Sequence, residues 1–188
     1  MKKTLFLVTG MLLFILGCDK DCDRDDHDNQ DNITQAVVFE YEYTNHAWGY
    51  SHFGWLIDEN GTVKGYSIHD DWKSADDEGY ISKSDLLSNS NLTDTVYFQV
   101  DNDLLLEHFE NRFEVLQGNL ESSDQNTADA GTGALYLYVW DVDEGKYYKQ
   151  LLASHGDMPE TNTHPKVQSM VDWLEGIGAQ TDRFFWGL

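Results

Sequence analysis

Three histidines and two aspartates are the side chains best suited to chemistry in this sequence: His46, His52, His69, Asp70 and Asp71. Imidazole nitrogens and carboxylate oxygens can hold a metal ion, or can act together as an acid and a base. No spacing among these five residues corresponds to a known ligand set, and histidines on neighbouring strands more often serve as ordinary hydrogen-bond partners. The sequence therefore assigns neither a metal site nor a cofactor.

A serine in the segment Gly49–Gly54 comes closest to a nucleophile motif. A nucleophile elbow requires Gly-x-Ser-x-Gly at the turn from a strand to a helix. Here Phe53 takes the place of the second glycine, and a strand is predicted to follow Ser51. The sequence also contains no His-Glu-x-x-His, Walker or dinucleotide-binding motif. We therefore assign no catalytic residue.

The acids Asp141, Asp143 and Glu144 resemble the start of a calcium-binding loop. Such a loop needs a glycine for its sharp turn and a bidentate acid at its last position. Lys146 and Leu152 occupy those two positions. The segment around residues 143–145 is therefore interpreted as a hairpin turn.

Two groups of aromatic residues could form a binding surface. They are Trp48, Tyr50 and Trp55 in one segment, and Tyr136, Tyr138 and Trp140 in another. Because side chains alternate along a strand, Trp48 and Tyr50 share one face, and the second group also shares one face. An exposed face of this kind would offer a platform for glycan rings or for a partner protein. The alternative is that helices cover the face and that the aromatics belong to the core.

Two classes of function are consistent with these residues. The first is a noncatalytic binding or interaction module that uses the aromatic side chains. The second is a hydrolase or metal-dependent enzyme with a site formed by His46, His52, His69 or nearby acids. A solvent-facing aromatic sheet without a convergent polar pocket favours binding, whereas a cleft that gathers histidine and carboxylate groups favours catalysis.

Alternation of apolar and polar residues predicts the first strand, 37–44. Every second residue from Val37 to Tyr43 is apolar, and Glu40, Glu42 and Thr44 alternate with them. One face of this strand should therefore meet the core and the other should meet water.

Two hairpins are predicted further along the chain. Ala47–Asp58 and Thr62–Ile68 flank an Asn-Gly pair, which supplies the positive φ angles of a tight turn. Ala134–Trp140 and Lys146–Ala153 form the second hairpin, and the first of these strands, apolar on one face and aromatic on the other, should be central. A further brief strand is predicted at 96–100.

Three helices complete the predicted elements. One lies around Ser84–Asn89, and the second carries apolar residues at spacings of three and four between Leu106 and Leu116. Asp101 should cap the second helix and Gly118 should end it. The third begins near Pro165 and has an apolar face from Val167 to Leu174. Together these elements predict an α+β fold, with an antiparallel sheet of about five strands and two or three helices packed on it.

Composition and charge distinguish an acidic tether, residues 18–32, from one folded domain, residues 33–188. Residues 18–32 contain seven aspartates, two basic residues and no apolar side chain apart from the cysteines, so this segment should be solvated. Residues 33–188 contain 8 basic and 27 acidic residues, a formal net charge of −19, and are long enough for one domain. Because there is no basic patch, the sequence predicts no nucleic-acid partner.

The first 18 residues have the organisation of an export signal. Lys2 and Lys3 precede an apolar stretch, Leu5–Leu16, which is shorter than the roughly 20 residues that a spanning helix needs. Ile15-Leu16-Gly17-Cys18 resembles the lipobox of bacterial lipoproteins. The resemblance implies a signal peptide at 1–17, a diacylglyceryl group on Cys18, an acylated new amino terminus, and a protein anchored in the envelope membrane. The alternative is an ordinary secretory signal.

The acidic tether bears on location. It resembles the export signals that carry some Gram-negative lipoproteins to the outer face of the outer membrane, which implies surface exposure. In other bacteria an aspartate directly after the lipidated cysteine, here Asp19, favours retention in the inner membrane. With Cys18 lipidated, Cys22 is left either to pair with another chain or to remain a free thiol.

A short motif in the folded domain, residues 33–188, suggests a site of O-glycosylation. Asp94-Thr95-Val96 resembles the Asp-Thr-aliphatic O-glycosylation site of some bacteria that make lipoproteins with acidic tethers. The resemblance implies that Thr95 carries a sugar.

Overall fold

The computed structural model describes residues 33–47, 49–67, 70–123 and 129–185. Within these ranges the chain forms nine strands and four helices. In chain order they are β1 (Phe39–Asn45), β2 (Ser51–Ile57), β3 (Thr62–Ser67), β4 (Tyr80–Ile81), α1 (Lys83–Asn91), β5 (Thr95–Gln99), α2 (Asn102–Glu110), α3 (Arg112–Val115), β6 (Leu120–Ser122), β7 (Thr132–Asp141), β8 (Lys146–Gly156), β9 (Glu160–Asn162) and α4 (Val167–Gly178). The fold is α+β with an antiparallel sheet, as the sequence predicts.

The strands lie in the order β5-β3-β2-β1-β7-β8-β9-β6, and β4 pairs with β8. The central position predicted for β7 is therefore confirmed. Both predicted hairpins are present, since β2 pairs with β3 and β7 pairs with β8.

The number of elements differs from the prediction of about five strands and two or three helices. The additional strands β4, β6 and β9 contain only two or three residues each, too few to show a period of two. The helix predicted across Leu106–Leu116 divides at Asn111, whose side-chain amide donates to the Glu107 carbonyl at 2.8 Å. Asparagine competes in this way for backbone groups and so favours helix ends. As a result Phe113, placed on the apolar face by its spacing, is 54% exposed.

One face of the sheet carries the main core. Helices α2, α3 and α4 cover this face with apolar side chains that include Phe109, Val115 and Met170. Beneath them lie Phe39 and Tyr41 of β1 together with neighbours from β2, β7 and β8. The period predicted for the third helix is confirmed, because its residues from Val167 to Leu174 contribute the largest helical share of this core.

The opposite face of the sheet is also covered, which contradicts the prediction that Glu40 and Glu42 meet water. Glu40 is 1% exposed. The segment 72–91, which includes β4 and α1, lies over this face and forms a second apolar cluster with it. Buried Asn89 fixes the segment, because its side chain accepts from the Lys73 amide at 2.9 Å and donates to the Lys73 carbonyl at 2.7 Å. The domain therefore has three layers.

Both hairpin turns use an aspartate and a single left-handed glycine. In the first turn only Gly61 has a positive φ (78°), so the prediction that Asn60 shares this conformation is wrong. Oδ1 of Asp58 instead accepts from the amides of Asn60 and Thr62, both at 2.9 Å. In the second turn Oδ1 of Asp141 accepts from the amides of Asp143 and Glu144, and Gly145 has the positive φ, which confirms a hairpin turn there.

Candidate functional site

A row of polar side chains crosses the second face of the sheet over five adjacent strands. We call this row the buried network; it consists of Tyr66 on β3, His52 on β2, Glu40 and Glu42 on β1, Tyr138 on β7 and Lys149 on β8. Side chains two residues apart on a strand point to the same face, and the antiparallel register aligns these positions across the sheet. The register pairs Tyr138 directly with Lys149.

Lys149 joins the two carboxylates of the network. Its Nζ lies 2.8 Å from Oε2 of Glu40 and 2.7 Å from Oε2 of Glu42. The hydroxyl of Tyr66 donates to Oε1 of Glu40 at 2.7 Å, and that of Tyr138 donates to Oε2 of Glu40 at 2.5 Å. Each oxygen of Glu40 therefore has a partner, as a buried carboxylate requires.

His52 connects Glu42 to the aromatic rings of Tyr66 and Trp72. Its Nε2 lies 2.8 Å from Oε1 of Glu42, and its ring packs edge-on against Tyr66 and Trp72, with centroids 5.4 Å away in both cases. Trp72 also stacks on Tyr66 at 4.0 Å. The segment 72–91 therefore covers this part of the network with the indole ring of Trp72.

A glycine makes room for the network. A Cβ atom at Gly54 would lie 2.9 Å from the Tyr66 hydroxyl and 1.9 Å from the Tyr41 carbonyl oxygen. Since Gly54 stands on β2 opposite both Glu42 and Tyr66, only the absence of a side chain lets the Tyr66 ring pass toward Glu40.

The proximity of these groups determines how they titrate. Burial by itself raises the pKa of Glu42, but the charge of Lys149 and the hydrogen bonds from His52 and Lys149 outweigh it and lower the pKa to about 2. Burial lowers the pKa of Lys149, yet the two carboxylates raise it well above its ordinary value. Burial and Glu40 raise the pKa values of Tyr66 and Tyr138 far above that of a free phenol. At neutral pH Glu42 is therefore ionised, Lys149 is protonated, and the phenols of Tyr66 and Tyr138 are neutral.

A groove of about 400 Å³ opens where β2 extends past the end of β3. Its lining residues are Tyr50, Ser51, His52, Phe53, Ser67, Asp182, Arg183 and Phe185. His52 thus belongs both to the groove and to the buried network. The second wall of the groove is the segment 181–185 after α4, which we call the strap.

Contacts along its length hold the strap in place. The Tyr41 hydroxyl donates to the Phe185 carbonyl at 2.9 Å and accepts from the Phe185 amide at 3.0 Å. The Phe184 ring meets that of Tyr41 edge-on at 4.8 Å. The two terminal nitrogens of Arg183 donate to the two carboxylate oxygens of Asp94 at 2.6 and 3.2 Å, a bidentate contact. These contacts fix the strap side of the groove without the need for a bound ligand.

The structure separates the aromatic residues that the sequence groups together. Trp55 is fully buried in the main core, Tyr138 is buried in the network, and Tyr136 is half-buried beneath Lys149, whose Nζ lies 4.1 Å from its ring centroid. Trp140 is 37% exposed at the end of β7. Tyr50 is 53% exposed in the groove, and Trp48 lies outside the described residues.

The candidate chemical residues also separate. His52 meets Glu42, whereas His46 packs against Tyr50 at 4.9 Å and Asp70 and Asp71 are exposed. His69 lies outside the described residues, as do Cys18 and Cys22. In the described ranges no group of three or more His, Cys, Asp or Glu side chains could hold a metal ion.

Thr95 begins the edge strand β5 and is half-buried. Its hydroxyl donates to Oδ1 of Asp94 at 2.8 Å, the same oxygen that Arg183 contacts.

Sequence reasoning missed Glu40, Lys149 and the strap residues Asp182, Arg183 and Phe185. Glu40 and Lys149 occupy positions that alternation assigns to solvent, so no local signal marks them as buried. An informative signal was present in Gly54, because glycine inside a strand often indicates the close approach of another group.

A second cavity of about 340 Å³ lies near the start of α4. Its described lining includes His155, His164 and Glu175 but no aromatic ring of Phe, Tyr or Trp. The groove is therefore the better candidate for binding that depends on aromatic contact.

The chain matches no family model, no curated protein and no solved structure. None of the helices in the described ranges is long and apolar enough to span a membrane.

Proposed function

We propose that this chain is a lipid-anchored protein of the bacterial envelope whose folded domain binds a ligand without changing it chemically. The membrane is then one partner, through Cys18, and a glycan or an envelope protein is the other. The acidic tether favours an outer-membrane, surface-exposed location, with inner-membrane retention as the alternative.

The observation that carries the binding role is the groove beside the strap. Its volume of about 400 Å³ falls in the range of small-molecule sites, and it combines half-exposed rings with a few polar groups. Tyr50 and Phe185 provide exposed rings, and Asp182 and Arg183 provide polar groups in fixed positions. A rigid groove of this composition is suited to binding because little ordering entropy is lost on association.

The anchor is tested by cell fractionation of the full chain. We expect the parent to occur in the membrane fraction with acyl mass on Cys18, and Cys18→Ser to leave that fraction, since several acyl chains are needed for stable anchoring. Equal membrane retention of Cys18→Ser, or a parent without acyl mass, would exclude lipid anchoring.

The binding role is tested by blocking the groove. We expect the full chain, when immobilised, to retain a glycan or an envelope protein, and Ser67→Trp to lose that capture because an indole ring would occupy the groove. Val142→Trp is the matched control, because Val142 is 81% exposed outside the groove lining. If Ser67→Trp binds as well as the parent, the ligand does not occupy the groove.

A hydrolytic enzyme is the second candidate, favoured by the 2.8 Å contact between His52 and Glu42 at the groove wall. A carboxylate that orients a histidine is a common part of acid–base sites. Against it, His52 is 5% exposed, and within the described residues no hydroxyl group is hydrogen-bonded to it. Turnover of a bound ligand that falls at least about a hundredfold in His52→Gln would establish this alternative; a ligand recovered intact would exclude it.

We also propose Thr95 as an O-glycosylation site, on the resemblance of its tripeptide. Intact-mass measurement of the exported protein should show added sugar in the parent and none in Thr95→Ala. A parent mass without sugar would remove this proposal.

A further inference from the structure

We infer that the groove takes an uncharged sugar ring, which stacks on Tyr50 or Phe185 and directs its hydroxyl groups toward Ser51, Ser67 and Asp182. This inference rests on the proposed binding function, and it selects a neutral glycan over an acidic glycan and over an envelope protein.

The exposed rings are supported from behind. Phe185 is 48% exposed, and its ring centroid lies 5.5 Å from that of Tyr43 and 5.6 Å from that of Phe53. Tyr50 is supported by His46 at 4.9 Å and His52 at 6.1 Å. The rings are therefore held in position while part of their surface faces solvent. A flat ring held this way can cover the apolar face of a sugar at small entropic cost.

The polar groups of the groove match the other edges of a sugar. A hydroxyl group both donates and accepts hydrogen bonds, so it is best met by a mixture of hydroxyls and a carboxylate. Ser51 and Ser67 provide hydroxyls, and Asp182 provides a carboxylate held by the Tyr97 hydroxyl.

Charge disfavours an anionic ligand. Arg183 is the one lysine or arginine among the residues that line the groove in the described part of the chain, and its two terminal nitrogens are already bonded to Asp94. Asp182 adds a negative charge to the same wall. The residues 33–188 as a whole carry −19, so a carboxylated or sulfated glycan would approach against repulsion.

Burial of the aromatic sheet face disfavours a folded protein as the ligand. A stable protein interface needs about 800 Å² on each side. The flat aromatic face that could have supplied this area is covered, since Tyr138 is 2% exposed beneath the segment 72–91.

The test uses the full chain and paired probes. Neutral oligosaccharides of glucose, mannose, galactose and N-acetylglucosamine are compared with their carboxylated or sulfated counterparts and with an envelope-protein fraction. We expect at least one neutral sugar to bind with an affinity that does not change between low and high salt. Tyr50→Ala and Phe185→Ala should each weaken it about tenfold, whereas Tyr50→Phe and the distant Val142→Ala should bind as the parent does.

The possible outcomes separate the inference from the proposed function. If a charged glycan binds more tightly than its neutral counterpart, or if the groove variants affect only a protein partner, the inference is overturned while binding remains. If neutral sugars bind with no effect of Tyr50→Ala and Phe185→Ala, the groove is not their site and the inference is again overturned. If no probe binds at all, both the inference and the proposed binding function are wrong. Tyr50→Ala keeps the test valid if Phe185→Ala loosens the strap, because Tyr50 makes no contact that fixes the strap in the described structure.

Discussion

The Nζ atom of Lys149 lies 2.8 Å from Oε2 of Glu40, although the two residues stand on strands that are separated by β7. The lysine side chain passes over the ring of Tyr136 to make this contact. The same Nζ also binds Glu42 at 2.7 Å, so one ammonium group compensates both the buried Glu40 and the half-buried Glu42.

Removing this ammonium group should destabilise the domain strongly. In Lys149→Met, the buried Glu40 and the half-buried Glu42 would lose their cation. Breaking a buried pair such as that with Glu40 costs about 3–5 kcal/mol. Urea unfolding measures the loss. The control is Lys146→Met, because the pair of Lys146 with Asp76 is exposed to solvent and should contribute little to stability. Similar losses in the two variants would contradict a structural role for the network.

Acid should weaken the fold through Glu42. Its pKa is about 2 in the folded domain against an ordinary value of 4.5, so the carboxylate favours folding fully above pH 4.5. This contribution is lost as the pH falls from 4.5 toward 2, because the unfolded chain takes up the proton first. The free energy of unfolding of Glu42→Gln should therefore depend less on pH in this window than that of the parent. Exposed Glu110→Gln should keep the parent's pH dependence.

Gly54 should not tolerate a side chain. A methyl group there would lie 1.9 Å from the Tyr41 carbonyl oxygen, so β1 and β2 would have to move apart and Tyr66 would be displaced. We expect Gly54→Ala to cost at least about 1–3 kcal/mol. Gly176→Ala is the matched control, since nothing lies within 4 Å of its Cβ position in α4 and alanine favours a helix by about 1 kcal/mol. Thermal unfolding should thus shift in opposite directions, and equal shifts would show that the close approach at Gly54 is unimportant.

The strap should depend on one hydroxyl group. Tyr41→Phe removes both hydrogen bonds to Phe185 while keeping the ring, and should cost about 1–3 kcal/mol. Amide hydrogen exchange at 183–185 should become at least about tenfold faster. Tyr43→Phe is the control. The hydroxyl of Tyr43 donates to the Ala130 carbonyl and not to the strap, so its loss should leave amide exchange in the strap unchanged. If Tyr41→Phe also leaves it unchanged, the strap is held by its other contacts.

Much of the fold could be predicted because its signals are local. The alternation in β1 and β7, the spacing of α4 and the glycines of both turns depend on neighbours within a few residues. Predictions failed where an element was too short for a pattern, as in β4 and β9, or where one residue decided the outcome, as Asn111 did by ending α2.

The sequence by itself determined the acidic charge, the signal-like first 18 residues, the α+β class and the strands that carry the aromatic side chains. Tertiary structure alone decided which of those side chains face solvent. Alternation states that Glu40 and Glu42 share a face of β1, but burial of that face depends on Trp72 and the segment after it, which returns from a distant part of the chain. The groove likewise exists because the chain brings Phe185 back to Tyr41, 144 residues away in sequence. Contacts between residues so far apart in sequence cannot be predicted from the pattern of apolar and polar residues around either one. Local propensity depends on neighbouring residues, whereas burial depends on the whole packed domain.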